Sequence, residues 1–192
     1  MAHELPGDHP ELTAGIRQVL YTQEQIQARI TELGQAISKD YAGRNPLMIG
    51  VLKGVLFFMA DLLREVTVPA EVDFIAISSY SKEAREQGMV RLMKDLDASI
   101  SGRDVLFIED VINTGLTLNY LLQNLRARQP ASLEVCVLFN KSSNRLLNIP
   151  IKYQGFDLPP LFVVGYGLDF RERYRNLPFV GLLSPDVFQN TI

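Results

Sequence analysis

The stretch VLFIEDVINTGLTL, Val105 to Leu118, dictates a strand, a turn and a helix in immediate succession. Val105 to Ile108 form a short apolar run rich in strand formers. Two carboxylates, Glu109 and Asp110, stand at its end. Asn113-Thr114-Gly115-Leu116-Thr117 follows as a small-residue turn dense in N–H and hydroxyl donors. Leu118, Leu121, Leu122 and Leu125 then recur at helical spacing. Free N–H groups at a helix N-terminus, together with the helix dipole, make a cradle for a phosphate-like anion. Carboxylates beside such a cradle suit sugar hydroxyls or a hydrated Mg²⁺.

The rest of the chain repeats the alternation of strand and helix. Thr22 and Gln25 make a capping-box signature, and Ile26, Ile30, Leu33 and Ile37 recur at helical spacing to about Tyr41. Leu47 to Leu52 reads as a buried strand, and Lys53-Gly54 turns it into a helix over Val55 to Val66. Val72 to Ser78 is a further strand. Ser79 to Gln87 is charged and lacks apolar periodicity, as an exposed loop would. Leu133 to Phe139 is another strand, with Asn140-Lys141 at its C-terminal end. Open α/β sheets place their ligands at that edge. The last third is rich in proline and aromatic residues and predicts short strands and turns. Residues 1–21 read as a loose lead-in.

With 192 residues and 47% apolar side chains, the chain predicts one domain with a sizeable core. The fold class is α/β, a mostly parallel sheet flanked by helices, with a small hood over the sheet's C-terminal edge. The formal net charge of −3 argues against nucleic acid as a partner. The one cysteine, Cys136, excludes an internal disulfide and sits in a strand, as a structural thiol does. Both histidines, His3 and His9, lie near the start, so neither a His/Cys metal cluster nor a Ser-His-Asp triad is expected. The polar N-terminus and the short apolar runs predict neither a secretory signal nor a membrane span, hence a cytoplasmic location.

Val105 to Leu118 resembles the phosphoribosyl diphosphate (PRPP) motif of the type I phosphoribosyltransferases, in the variant of the hypoxanthine-guanine enzymes. The resemblance extends from about Thr22 to Leu183, with four motifs in family order. It implies that Glu109 and Asp110 hold the ribose hydroxyls and that Asn113, Thr114, Gly115, Leu116 and Thr117 hold the 5′-phosphate. VLKGVLFFMADLLR resembles the family's pyrophosphate segment, implying roles for Leu52, Lys53 and Gly54 and a cis bond between Leu52 and Lys53. Ser79-Tyr80 opens the segment that matches the family's lid within 79–102, although Glu86 and Gln87 stand where two serines are usual. FVVGYGLDF and YRNLP resemble the purine-binding hood, about 150–183. By that match Phe162 stacks on the base, Val163 meets its edge through backbone, and Lys141 donates to the 6-oxygen. Asp169, with Glu109 and Asp110, serves Mg²⁺, and Arg175 reaches the pyrophosphate. The implied reaction is transfer of 5-phosphoribose from PRPP to hypoxanthine or guanine, giving IMP or GMP and pyrophosphate, in a dimer or tetramer.

One departure from the family pattern is Asn113, where the hypoxanthine-guanine enzymes carry an aspartate that acts as base at purine N7. An amide does not take that proton. Three readings stay open: a slower enzyme, a chain with an introduced Asp→Asn change, or a PRPP- or nucleotide-binding regulator without catalysis. The pyrimidine-operon regulators share the fold and bind RNA, but the acidic charge and the purine-type hood argue against that class.

Overall fold

The computed structural model of the protein describes residues 10–78 and 90–189. The apolar runs become β2 (Leu47–Leu52), β3 (Glu71–Ser78), β5 (Asp104–Ile112), β6 (Ser132–Asn140) and β7 (Tyr153–Asp157). With the edge strand β4 (Arg91–Lys94) they form a six-stranded sheet in the order β4-β3-β2-β5-β6-β7. All neighbours pair in parallel except β3 with β4. A parallel sheet requires crossovers, and helices supply them on both faces.

Alternation along the strands divides the core in two. Met48, Leu106, Ile108, Cys136 and Leu138 point to the face covered by α2 (Gln23–Asp40) and α3 (Leu56–Glu65). Leu47, Ile49, Val105, Phe107, Val135 and Val137 point to the other, covered by α4 (Leu116–Arg126). The helices match in period: Ile26, Ile30, Leu33 and Ile37 of α2 are buried, as are Leu118, Leu121, Leu122 and Leu125 of α4. The expected capping box starts α2. Thr22 Oγ1 accepts from Gln25 N, and Gln25 Oε1 accepts from Thr22 N at 2.9 Å. No helix among the described residues is long and apolar enough to cross a membrane.

Three expectations change. The lead-in ends early, because α1 (Pro10–Thr13) is followed by a strand, β1 (Ile16–Tyr21). β1 joins β9 (Val180–Leu183) and β8 (Val163–Val164) in an antiparallel sheet, order β1-β9-β8, which is the hood. Its register shifts twice, so Ile16 and Val19 are the buried residues and no period of two appears in the sequence. The hood also begins later than residue 150, since β7 belongs to the main sheet. Finally, β5 does not stop at Ile108 but carries Glu109 and Asp110 within it, because β6 pairs with it as far as Ile112 opposite Asn140. A short helix, α5 (Pro185–Gln189), follows the hood.

Candidate active site

The C-terminal ends of β2, β3 and β5 and the N-terminus of α4 enclose a cavity of about 370 Å³. Its walls include Leu52, Gly54, Glu109, Asp110, Asn113, Thr114, Gly115 and Thr117. Gly115 caps α4 with φ +83°, a left-handed conformation that glycine adopts freely. A Cβ there would also lie 3.2 Å from Ile149 Cδ1. The turn is held from outside: Leu146 N donates to Thr114 O at 3.0 Å, and Asn144 Nδ2 donates to Asn113 Oδ1 at 2.8 Å. The first-turn N–H groups of α4 thus stand at the cavity wall with the positive end of the helix dipole.

The acidic pair lies opposite. Asp110 Oδ1 accepts from Val111 N at 2.8 Å. Its other oxygen rests against Gly54, where a Cβ would stand 1.8 Å from Oδ2. Glu109 Oε2 is buried without a hydrogen-bond partner. Burial raises both carboxyls: Glu109 well above its usual range, with Asp110 adding repulsion, and Asp110 to about 6. Glu109 is among the lining residues, and a buried carboxylate oxygen without a partner calls for a donor or a cation. Glu109, Asp110 and Asp169 do not converge into a three-carboxylate cage, for no such group exists among the described residues. A Mg²⁺ would therefore be shared between one or two carboxylates and ligand phosphates, as that ion prefers.

The pyrophosphate candidates form a second cluster beside the cavity. The Leu52–Lys53 peptide is cis, as the resemblance implied. Lys53 Nζ donates to Glu172 Oε2 at 2.9 Å. Arg175 Nη2 pairs with Glu172 Oε1 at 3.2 Å and with Asp169 Oδ1 at 2.9 Å, and its Nη1 donates to Gly167 O at 2.8 Å. Arg175 Nε is buried without a partner. Gly167, at φ +93°, packs onto the Gly54 carbonyl, from which a Cβ would be only 2.1 Å away. Asp110, Gly54 and Gly167 are thus stacked with no room for a side chain between them.

The base-side candidates form a third group. Lys141 follows β6, its N–H bound to Ile112 O, and its Nζ donates to Leu161 O at 2.8 Å. Burial lowers its pKa. Phe162 is 44% exposed and meets Phe170 edge-on at 5.7 Å. Val163 is buried in β8. Lys53, Leu116, Lys141, Phe162, Val163, Asp169 and Arg175 do not line the cavity. Ser79 and Tyr80, with the rest of the expected lid to Gln87, lie outside the described residues.

The phosphoribosyl transferase domain matches residues 18–171, most of the chain. The chain belongs to the phosphoribosyl transferase family. Among phosphoribosyltransferases, the hypoxanthine-guanine phosphoribosyltransferase of Mycobacterium tuberculosis (strain CDC 1551 / Oshkosh) is 51% identical over 191 residues, covering 96% of this chain and 95% of the relative. A crystal structure of a Staphylococcus aureus hypoxanthine phosphoribosyltransferase is 43% identical, covers 91% of this chain and 95% of its own, and superposes with a TM-score of 0.87. The asparagine mutant of an invariant aspartic acid in HPRTs is 38% identical, covers 92% and 97%, and also has a TM-score of 0.87.

Other residues that shape this phosphoribosyltransferase-family site carry no local signal in the sequence. Glu172 joins Lys53 to Arg175 across the fold. Asp61 of α3 accepts from Tyr166 OH at 2.5 Å and from Gln27 Nε2 at 2.8 Å, tying the hood to α2 and α3. Asn140, at the end of β6, is a buried polar residue. Its Nδ2 donates to Gln154 Oε1 and Asp157 Oδ1, and its Oδ1 accepts from Arg145 Nη1 at 3.1 Å. A carboxylate at 140 would lose both donations and face Asp157, so the amide suits this pocket. Lys53 and Glu172, and likewise Asp61 and Tyr166, are remote in the chain, and only folding brings them together. Cys136 is buried in β6 and its thiol is pushed up by burial, as a structural cysteine requires.

Proposed function

We propose that the protein is a purine-salvage enzyme that transfers the 5-phosphoribosyl group of PRPP to hypoxanthine, and to guanine, giving IMP or GMP and pyrophosphate. The observation that carries this reading is the joint enclosure of one cavity by the helix N-terminus at Asn113–Thr117 and the buried pair Glu109–Asp110. One side suits a monoester phosphate and the other a ribose diol. The high identity to hypoxanthine-guanine phosphoribosyltransferases over nearly the whole chain supports the substrate class.

In the reaction the bond from ribose C1 to the pyrophosphate oxygen breaks, a bond from purine N9 to C1 forms, and the proton on N7 is lost. The turn at 113–117 anchors the 5′-phosphate, and Glu109 and Asp110 fix the ribose, so that C1 is presented to N9 at short range. Lys53 and Arg175 take the charge that develops on the leaving pyrophosphate. Lys141 donates to the purine 6-oxygen while keeping Leu161 O, since an ammonium has three donors. Phe162 offers an exposed ring face for stacking. Mg²⁺, held by ligand phosphates with Asp169 or the acidic pair, would neutralise pyrophosphate charge. Asn113 accepts the N7 hydrogen bond but passes the proton no further, leaving that transfer to water.

A homo-oligomer, as the family resemblance implies, would be tested by sedimentation at two protein concentrations. The function itself is tested by mixing the full chain with PRPP, Mg²⁺ and hypoxanthine, guanine or adenine. IMP and GMP should form and AMP should not. Tight nucleotide binding with no product in single turnover would instead support a nucleotide-binding regulator.

A further inference from the structure

We infer that Glu172 sets the affinity of the pyrophosphate site by competing for it: its carboxylate spans Lys53 and Arg175 when ligand is absent and must leave before pyrophosphate or the diphosphate of PRPP can bind. This rests on the reading of Lys53 and Arg175 as the pyrophosphate ligands.

The geometry is that of an internal anion. The two carboxylate oxygens divide between the two cations, Oε2 to Lys53 Nζ at 2.9 Å and Oε1 to Arg175 Nη2 at 3.2 Å. A diphosphate would use the same two donors, so the two anions exclude each other. Glu172 reaches this position from a turn that fixes its backbone. Its N–H donates to Asp169 Oδ2 at 2.9 Å, and Phe170 and Arg173 close the turn by exchanging N–H···O bonds. Arg171 and Glu172 both have positive φ, 55° and 62°. Because the backbone is already placed, the side chain returns to the cations as soon as they are vacated. It therefore opposes both first binding and rebinding of pyrophosphate. The Lys53–Glu172 pair lies at the surface, where Glu172 is 62% exposed, so displacement is easy and the effect is bounded. The role differs from that of Asp169, whose carboxylate also anchors the turn through the Glu172 N–H.

The test is a calorimetric titration of inorganic pyrophosphate with Mg²⁺ into the full chain and into its Glu172→Gln, Glu172→Ala and Arg175→Ala variants. Removing the competing charge should tighten binding roughly two- to fivefold, the range that an exposed ion pair commands. Both Glu172 variants should do so, and stopped-flow association of pyrophosphate should quicken in proportion. Unchanged or weaker binding in both, with Arg175→Ala still weakening it, overturns the competitor role and leaves the assignment of the site standing. Absence of pyrophosphate binding, or binding indifferent to Arg175→Ala, overturns both.

Discussion

At position 113 an amide and a carboxylate differ by a few atoms' chemistry and little in shape. Asn113 Oδ1 accepts from Asn144 Nδ2 at 2.8 Å, and that contact would serve an aspartate equally well. The exchange Asn113→Asp should therefore leave the turn and nucleotide affinity nearly unchanged while supplying a base for the N7 proton. A positioned general base contributes ~10²–10⁴ in rate, and the low end applies where oxocarbenium stabilisation dominates. The gain belongs to the chemical step, so single-turnover rates are the measure. Equal rates in the two forms would remove position 113 from proton transfer. Lys141 carries a prediction of a different kind. An ammonium donates only, which suits a 6-oxygen and leaves a 6-amino group without an acceptor. Its hold on Leu161 O fixes the ammonium beside the hood without exhausting its donors. Lys141→Ala should erode discrimination between hypoxanthine and adenine, which a buried hydrogen-bonding site can hold at up to ~10⁴–10⁵. An unaltered ratio of kcat/KM for the two bases would remove Lys141 from base selection.

At the scale of elements, the site depends on two backbones and a carboxylate meeting closely. Gly167 of the hood lies on the carbonyl of Gly54, and Gly54 lies on the carboxylate of Asp110. Gly54→Ala would insert a methyl group 1.8 Å from Asp110 Oδ2, so the turn after β2 or the carboxylate has to move. A displacement of about 1 Å in a positioning element costs on the order of 10²-fold in rate. The expected outcome is such a loss in kcat/KM with a melting temperature still showing a folded protein. Activity within twofold of the parent chain would mean that the stack is not what positions the site. The local logic of β5, the turn and α4 was legible in Val105 to Leu125 because strand period, turn chemistry and helix period follow one another there. So was α2, through the Thr22–Gln25 box. β1 was not, since its shifted register against β9 buries Ile16 and Val19 and erases the alternation that marks a strand. Glu172 and Asp61 were equally silent, because their partners come from elements remote in sequence and no local pattern encodes such a meeting.

For the whole molecule, the buried acidic pair couples stability and ligand binding to pH. Burial is the main cause that raises the Asp110 carboxyl from 3.8 to about 6, opposed by N–H donation from Val111 and by Arg175. Glu109 moves the same way, through burial and then repulsion from Asp110. An acid with a raised pKa binds its proton more tightly in the folded state, so ionising it costs stability as pH climbs. The folded state is thus unburdened below about pH 4 and loses this contribution as pH rises through 6. A rise from 3.8 to about 6 corresponds to at most about 3 kcal/mol, and coupling to Glu109 spreads it over a wider range. The carboxylates with lowered pKa, such as Asp73 and Asp95, act in the opposite direction but have ionised by pH 5. Between pH 5 and 7 the ligand-free protein should therefore lose stability, and Asp110→Asn should flatten that slope and raise the melting temperature at pH 7. Ligands that donate to the ionised pair, or bring a cation to it, reverse the balance. IMP with Mg²⁺ should bind more tightly as pH rises through 6, releasing protons on binding at pH 6, and should stabilise the fold more at pH 7 than at pH 5. Denaturation and calorimetry at both pH values measure the two slopes. Identical slopes for the parent chain and Asp110→Asn would show that this carboxyl does not hold its proton in the empty site.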